Sequence, residues 1–398
     1  MFQLTAQEVE MREVLVVDAV RTPYGKRGGA LAGVHPADLL GLTLRTLLER
    51  NAVDPTEVGQ VVGGCVDQVR EQAMNVTRTA WLVAGLPEGV AATTVDSQCG
   101  SSQQALTLAA ALVASETVDI AVACGVESMT RVPILCNLDG PGEPAPPSYY
   151  DRYGEFVMQF EASERIARKW GITREDTDAL GLLSQERAAR AWDDGRFDNQ
   201  IVGVPGSLLG PEAGSTPFSR DQGLRPTTRA GLASLRPLHG DDGVHTAGTA
   251  SQISDGASAV LLASPAAAAR LGLRPKASIV DSLLVGSDPL LMLTGPIPAT
   301  RTLLERNGMG IGDIDVVEIN EAFASVVLAW ERELKPDMSR VNPNGGAMAM
   351  GHPVGATGTG LIAKAVHELD RSDGEHALVT VCCGGGLATG TLLRRVTG

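Results

Sequence analysis

An α/β fold with a mixed or parallel sheet and crossover helices is what the sequence predicts, on three observations. Short β-rich runs alternate with Ala/Leu-rich helical runs to about residue 128 and again after Lys276, the pattern of strands covered by helices. Between these stretches the chain is rich in turns, which marks an insertion or lid on a scaffold. At 398 residues, 43% apolar and 20% charged, there is material for two or three domains with buried cores.

Each element follows from local pattern. Val14–Val17 reads as a strand, with Arg21-Thr22-Pro23 as a breaker, then a helix over Leu39–Leu48 and a strand over Val58–Val62. Thr94-Val95 leads into Cys99 and a helix over Ser101–Ser115, with Ala105, Leu108, Ala109 and Leu112 spaced to form one buried face. Val118–Cys124 is a buried strand. In the middle, Gly140-Pro141-Gly142-Glu143-Pro144-Ala145-Pro146-Pro147 is turn, and two amphipathic helices cover Phe160–Trp170 and Asp176–Asp193. Alternation resumes with a strand at Ala277–Val280. Pro55–Val62 echoes Ile311–Glu318, although amphipathic α/β units commonly look alike.

The 33 Lys+Arg against 47 Asp+Glu give a net charge of −14. That argues against nucleic acid or an anionic membrane as partner, since both select basic patches. Six cysteines are too sparse for a disulfide scaffold, and the one close pair, Cys382-Cys383, is adjacent; a reducing cytoplasm fits. No run approaches the ~18 consecutive apolar residues of a membrane span. Met1–Met11 is polar and acidic, unlike a signal peptide, and reads as a leader. The end, Arg394-Arg395-Val396-Thr397-Gly398, carries no peroxisomal address.

Four clusters carry chemistry. In Asp96-Ser97-Gln98-Cys99-Gly100-Ser101-Ser102-Gln103, a cysteine sits between a strand and a helix start, where backbone N–H groups and the dipole favour a thiolate. A single cysteine is more commonly buried and inert, but small neighbours let a substrate approach. In Gly351-His352-Pro353-Val354-Gly355-Ala356-Thr357-Gly358, after Asn342-Pro343-Asn344-Gly345-Gly346, a turn orients His352 as a general base requires; a histidine merely satisfied in its turn is the plainer alternative. Cys382-Cys383-Gly384-Gly385-Gly386 leaves backbone donors bare for an oxyanion. No Cys-x-x-Cys or His/Cys ligand pair has metal spacing, so no metal site is expected. Val317-Glu318-Ile319-Asn320-Glu321-Ala322-Phe323-Ala324 is a strand-to-helix passage, where the plain reading of Asn320 and Glu321 is a helix N-cap.

Together these clusters resemble the thiolase family, in its order and spacing. The likeness extends to Arg21-Thr22-Pro23, Glu127-Ser128-Met129, Gly195-Arg196-Phe197 and Thr246-Ala247-Gly248-Thr249-Ala250-Ser251. The resemblance implies two similar αβαβα halves in five layers with an inserted loop domain: residues 1–128, a loop domain over 129–253, a return over 254–275, and a second half over 276–398. It implies reversible thiolysis of 3-ketoacyl-CoA, or condensation of acetyl-CoA, with coenzyme A as substrate, no permanent cofactor, and a homodimer or homotetramer. Cys99 matches the acylated nucleophile, His352 its base, Cys382 the second, proton-carrying cysteine, and Asn320 a water-holding residue. The N–H groups of Cys99 and Gly384 match an oxyanion hole, Ser251 a pantetheine contact, and Arg225 a contact near the nucleotide. Cys383, where the family usually has an aliphatic residue, reads as packing.

The departures point to substrate. Gly100 and Gln103 follow the nucleophile where common members read Ser and an aliphatic residue, Gln159-Phe160 replaces a Met-Gly pair, and Gln252 replaces a glycine. Gln103, Gln159 and Phe160 are accordingly expected as walls of an acyl pocket for a bulky group. These replacements resemble those of bacterial steroid-degradation members and argue for a degradative role. A short-chain biosynthetic member and a non-catalytic acyl-CoA-binding relative are the alternatives. Cys382 argues against a decarboxylating ketosynthase.

Overall fold

A computed structural model describes residues 12–211 and 215–397; the leader expected over residues 1–11 lies outside them. Ten strands are β1 (Leu15–Arg21), β2 (Gly25–Lys26), β3 (Gln60–Gly64), β4 (Ala91–Val95), β5 (Ile120–Ser128), β6 (Ser254–Ala263), β7 (Ala277–Gly286), β8 (Val316–Ile319), β9 (His376–Cys383) and β10 (Leu387–Arg395). Their order is β4-β3-β5-β6-β1-β7-β10-β9-β8, with β2 on the end of β6. Only Leu15 with Ser278 and Val16 with Ala277 join β1 to β7. The sheet is therefore two sheets meeting at a narrow seam.

The two sheets repeat one another. In the first, β1–β6 and β6–β5 are antiparallel while β5–β3 and β3–β4 are parallel. In the second, β7–β10 and β10–β9 are antiparallel, β9–β8 is parallel, and a single parallel bridge from Val317 to Val341 holds the fifth place. The echo at Pro55–Val62 and Ile311–Glu318 occupies matching places, a 3₁₀ turn running into β3 and into β8.

The likeness reaches side chains. The helix Pro36–Arg50 ends at Asn51, whose Nδ2 donates to Asp18 Oδ2 at 3.0 Å and to Leu47 O at 2.8 Å. The helix Pro296–Arg306 ends at Asn307, whose Nδ2 donates to Asp281 Oδ2 at 3.1 Å and to Leu303 O at 2.8 Å. Arg50 pairs with Asp18 and Arg306 with Asp281. Each aspartate follows the residue at which its ladder slips, Val17 or Val280. A bulge re-aims a side chain, and here it aims a carboxylate at a helix end.

Helices Ser101–Ala114 and Thr357–Ser372 lie between the two sheets, in a core shared by Val62, Leu106, Val260, Ile362 and Val379. The helix Pro36–Arg50 covers the first sheet outside, and helices Pro296–Arg306 and Ala324–Leu334 cover the second. These are five layers. The helix Thr357–Ser372 is buried on all sides from Thr357 to Leu369, as a helix inside a core must be; its Lys364 is neutralised by Glu318 at 2.6 Å.

Several boundaries move. β1 runs through Arg21 instead of breaking there, because Arg21 is buried and its guanidinium pairs with Asp221 at 2.8 and 2.9 Å. Arg21 also lies over Phe197, 5.2 Å from its ring centre, so the Arg-Thr-Pro and Gly-Arg-Phe motifs meet in one cluster. Of the face expected to be buried on helix Ser101–Ala114, Ala105 and Ala109 are buried but Leu112 only partly so. Leu108 is exposed, while Leu106, Ala110 and Val113 are buried, because the helix packs on two sides and shows solvent a narrow strip. From Met129 to Ile253 the chain adds no strand to the sheets and carries helices at Pro147–Tyr153, Gln159–Trp170, Arg174–Asp193, Gly206–Leu209 and Arg229–Ala233. Among the described residues no helix is long and apolar enough to cross a membrane.

Candidate active site

Cys99 sits on a tight turn between β4 and the helix Ser101–Ala114. Asp96 Oδ1 accepts Gln98 N at 2.6 Å, and Ser101 Oγ accepts Ser97 N at 2.9 Å while donating to Gln98 O at 2.6 Å. These bonds hold Gln98 left-handed at φ 55°, a strain of the kind found where a side chain must be presented. Gly100 is the helix N-cap and supplies no side-chain acceptor. A Cβ there would stand 2.6 Å from Cys383 Sγ and 2.8 Å from Thr389 Cγ2, so a glycine is required. Its departure from the family pattern answers to the buried Cys383, not to substrate.

The electrostatics correct the thiolate expectation. Burial pushes the Cys99 thiol up to about 12, opposed by the nearby backbone N–H groups of Cys99 and Gly384. Burial pulls His352 down to about 4. Burial thus works against each ion taken singly, the thiolate and the imidazolium alike. No hydrogen bond joins the two among the described residues; both face one cavity of about 190 Å³.

The hydrogen bonds of His352 assign its tautomer. Thr357 Oγ1 donates to Pro353 O at 2.9 Å, so at 2.6 Å it accepts from His352 Nδ1–H. Nε2 is left bare and accepts from Asn320 Nδ2 at 3.3 Å. Burial drives the Cys382 thiol up strongly. Asn320 Oδ1 is buried with no protein partner, an acceptor left for a ligand-side donor.

Asn320 and Glu321 are not a helix N-cap. The next helix, Ala324–Leu334, starts from Phe323 with no side-chain cap. Glu321 points away from Asn320, accepting Ser184 Oγ at 2.6 Å, Asn342 Nδ2 at 3.1 Å and Met348 N at 3.2 Å. Asn342 Oδ1 accepts Ile319 N at 2.9 Å and its Nδ2 donates to Ile319 O at 2.9 Å. Thus the Asn342-Pro343-Asn344-Gly345-Gly346 motif clamps the end of β8 and aims Asn320. Glu127 does the same for the histidine turn. Its buried carboxylate accepts Val66 N at 2.9 Å and Gly355 N at 3.0 Å, and burial raises it to about 7. Sequence reasoning gave neither Glu127 nor Thr357 a role; the hydroxyl five residues after His352 was the available signal.

Ser251, Gln159 and Phe160 line the cavity with Cys99, His352 and Gly384. Much of the wall is apolar: Met129, Ile134, Leu135, Leu293, Phe323 and Val354. Met129, Phe323 and Val354 fall within the motifs read from the sequence, whereas nothing in its pattern marked Ile134, Leu135 or Leu293. Gln103 is not a wall. Its Nε2 donates to Val379 O at 2.9 Å and Thr391 Oγ1 at 2.8 Å, and its Oε1 accepts Thr389 Oγ1 at 2.7 Å. It turns away from the cavity because only the opposite sheet offers partners for a fully buried amide. Arg225 is exposed and apart from the cavity, donating to Ala247 O at 2.8 Å. Cys383 is buried in the central core, as its packing reading required. No three His, Cys, Asp or Glu side chains among the described residues are grouped to hold a metal ion.

Two thiols, a base with a bare nitrogen and a pair of nearby N–H groups can serve acyl transfer through a cysteine. Family models agree. That for the thiolase N-terminal domain matches residues 14–266, and that for the thiolase C-terminal domain residues 273–395. The chain is 49% identical over 394 residues to the steroid 3-ketoacyl-CoA thiolase FadA6 of Mycobacterium tuberculosis, covering 97% of this chain and 95% of that one. It is 42% identical over 403 residues to a beta-ketoadipyl-CoA thiolase of Escherichia coli, covering 97% and 100%. The crystal structure of the Bacillus anthracis acetyl-CoA acetyltransferase superposes with a TM-score of 0.88 at 35% identity, over 97% of this chain and 99% of that one.

Proposed function

The chain belongs to the thiolase family and is an acyltransferase, and from that premise we propose how its residues divide the work. In thiolysis, Cys99 Sγ attacks the 3-keto carbon while His352 Nε2 takes the thiol proton. The N–H groups of Cys99 and Gly384 hold the oxyanion, an arrangement worth about 3–4 kcal/mol per donor in other enzymes. The C2–C3 bond then breaks. Its electron pair forms the acetyl-CoA enolate, stabilised beside His352 and Asn320, and Cys382 returns a proton to it. Acetyl-CoA leaves and the proton held by His352 passes to the Cys382 thiolate. His352 then takes the thiol proton of a second coenzyme A as its sulfur attacks the acyl-enzyme, and hands it to the departing Cys99 sulfur, regenerating the enzyme. Condensation is the same path reversed.

The single observation that carries this is the convergence of Cys99, His352 and Gly384 on one cavity, with the Asn320 amide on His352 Nε2 at 3.3 Å. Burial that works against both ions suits the scheme, since a proton moves only as the S–C bond forms. Coenzyme A is a substrate, with Ser251 beside its pantetheine arm and Arg225 near its nucleotide; no permanent cofactor takes part. Residues 129–253 form the loop domain supplying the pantetheine side, inserted in a first half of residues 1–128 and 254–275, and residues 276–398 form the second half.

The substrate is a 3-ketoacyl-CoA with a branched or bulky acyl group, consumed in a degradative direction. The large side chains of Leu135, Phe160 and Leu293 around the cavity support this, as does the likeness to a steroid 3-ketoacyl-CoA thiolase and a beta-ketoadipyl-CoA thiolase. A homodimer or homotetramer is supported by the outermost strand β4, whose alternate residues Ala91 and Thr93 are exposed beside a 92% exposed Met74. Six free thiols suit a reducing cytoplasm. The test is mass spectrometry of the intact protein after acetoacetyl-CoA and after a branched 3-ketoacyl-CoA. An acyl adduct on Cys99 that free coenzyme A discharges is expected; turnover with no adduct under any quench would reject the scheme.

A further inference from the structure

Beside Ser251, Gln252 lines the cavity. Its Nε2 donates to three carbonyl oxygens, Gly223 at 3.0 Å, Met348 at 2.8 Å and Ala349 at 3.2 Å. Because all three partners are acceptors, the amide has one possible orientation: nitrogen toward them and Oε1 away. Its main chain is fixed as well, with Gln252 O accepting His352 N at 3.1 Å and Ser254 Oγ at 2.9 Å. The side-chain amide is thus held by three contacts at its nitrogen, and the residue's main chain by two more. Its Oε1 has no partner among the described residues and is not sealed in the interior, and the Ser251 hydroxyl next to it is likewise unbonded. Both residues line the cavity, which therefore offers a hydroxyl and a fixed acceptor, groups that a secondary amide presenting C=O and N–H can satisfy together.

We propose that Gln252 Oε1 accepts an N–H of the pantetheine arm, making Gln252 a second anchor beside Ser251 and coupling thioester binding to the His352 turn. This rests on the reading of Cys99 as the acylated nucleophile. An acceptor held in advance costs little ordering on binding, and a ligand lacking the donor leaves it unpaired. A glycine at this place offers no side-chain acceptor, so the anchor depends on the glutamine.

The test compares two thioesters on the full-length protein: an acyl-N-acetylcysteamine and the analogue with its amide N–H replaced by an ester oxygen. On the unaltered protein, kcat/KM for acylation of Cys99 should fall about tenfold with the ester, the size of one lost hydrogen bond. In Gln252→Met, which keeps the volume and removes the acceptor, the two substrates should differ by less than about twofold. Gln252→Gly gives the same readout should the Met variant misfold, and the ratio on the unaltered protein needs no variant. Equal rates for amide and ester on the unaltered protein overturn the proposal alone. So does a preference that survives both substitutions, because a purely structural Gln252 would lower both substrates together and leave their ratio untouched. Absence of acyl-Cys99 with either thioester overturns the transfer reading and this proposal with it.

Discussion

The amide nitrogen of Asn320 lies 3.3 Å from Nε2 of His352, while Nδ1 of the same ring is 2.6 Å from Thr357 Oγ1. The ring is thus held between a donor and an acceptor, with its proton on Nδ1 and its lone pair toward Asn320. A carboxylate at position 320 would reverse that preference.

Asn320→Asp is expected to raise His352 from about 4 toward the ordinary 6.5 by placing a negative charge beside it. The acid limb of kcat/KM for Cys99 acylation should then move up from its position near pH 4. Stability follows the same sign. Folded His352 binds its proton less readily than the unfolded chain does, so its contribution is complete above about 6.5 and is lost as pH falls toward about 4. A pH profile of acyl-enzyme formation checks both proteins. An unmoved limb in the variant, or one at pH 6 or above in the original, contradicts the assignment.

The two cysteines should fail differently. Cys99→Ala should abolish turnover in both directions and leave no acyl adduct. Cys382→Ser removes the proton carrier but keeps the acylating pair, so acylation of Cys99 should survive within about tenfold while turnover falls by at least about 10²-fold. Stopped acylation and steady-state assays separate the two. Equal losses in both assays would refute the division of labour.

Gln103 and Phe160 test wall against core. Gln103→Leu leaves Val379 O, Thr389 and Thr391 short of partners, so it should cost about 1–3 kcal/mol for each buried group left unpaired and leave the ranking of acyl substrates unchanged. Phe160→Gly opens the cavity and should change that ranking by about 10–200-fold with a smaller stability cost. Denaturant unfolding alongside kcat/KM over a series of 3-ketoacyl-CoAs decides it. A preference for acetoacetyl-CoA over every longer or branched substrate in the original protein would contradict the bulky-acyl assignment.

Asn51 and Asn307 occupy matching places in the two halves, and Asn51→Ala and Asn307→Ala should destabilise by similar amounts, about 1–2 kcal/mol each. Chemical unfolding midpoints check this. A difference beyond about twofold would mean that the repeated bonds do unequal work.

The sequence by itself determined the α/β alternation, the insertion, the four clusters and their order, because each depends on local spacing: a cysteine at a helix start, a histidine in a glycine-proline turn, three glycines after a strand. It also held the duplication, faintly, in the echo of Pro55–Val62 and Ile311–Glu318. The tertiary structure decided which substitutions face the substrate. Gln103 lies four residues from the nucleophile, yet a helix turns it into the opposite sheet, where Thr389 and Val379 satisfy it. Gly100 is dictated by Cys383, 283 positions along the chain but within 2.6 Å of where its Cβ would be. The direction of the shifts was also set there, since a helix start alone favours a thiolate, whereas the packing around Cys99 and His352 works against both ions.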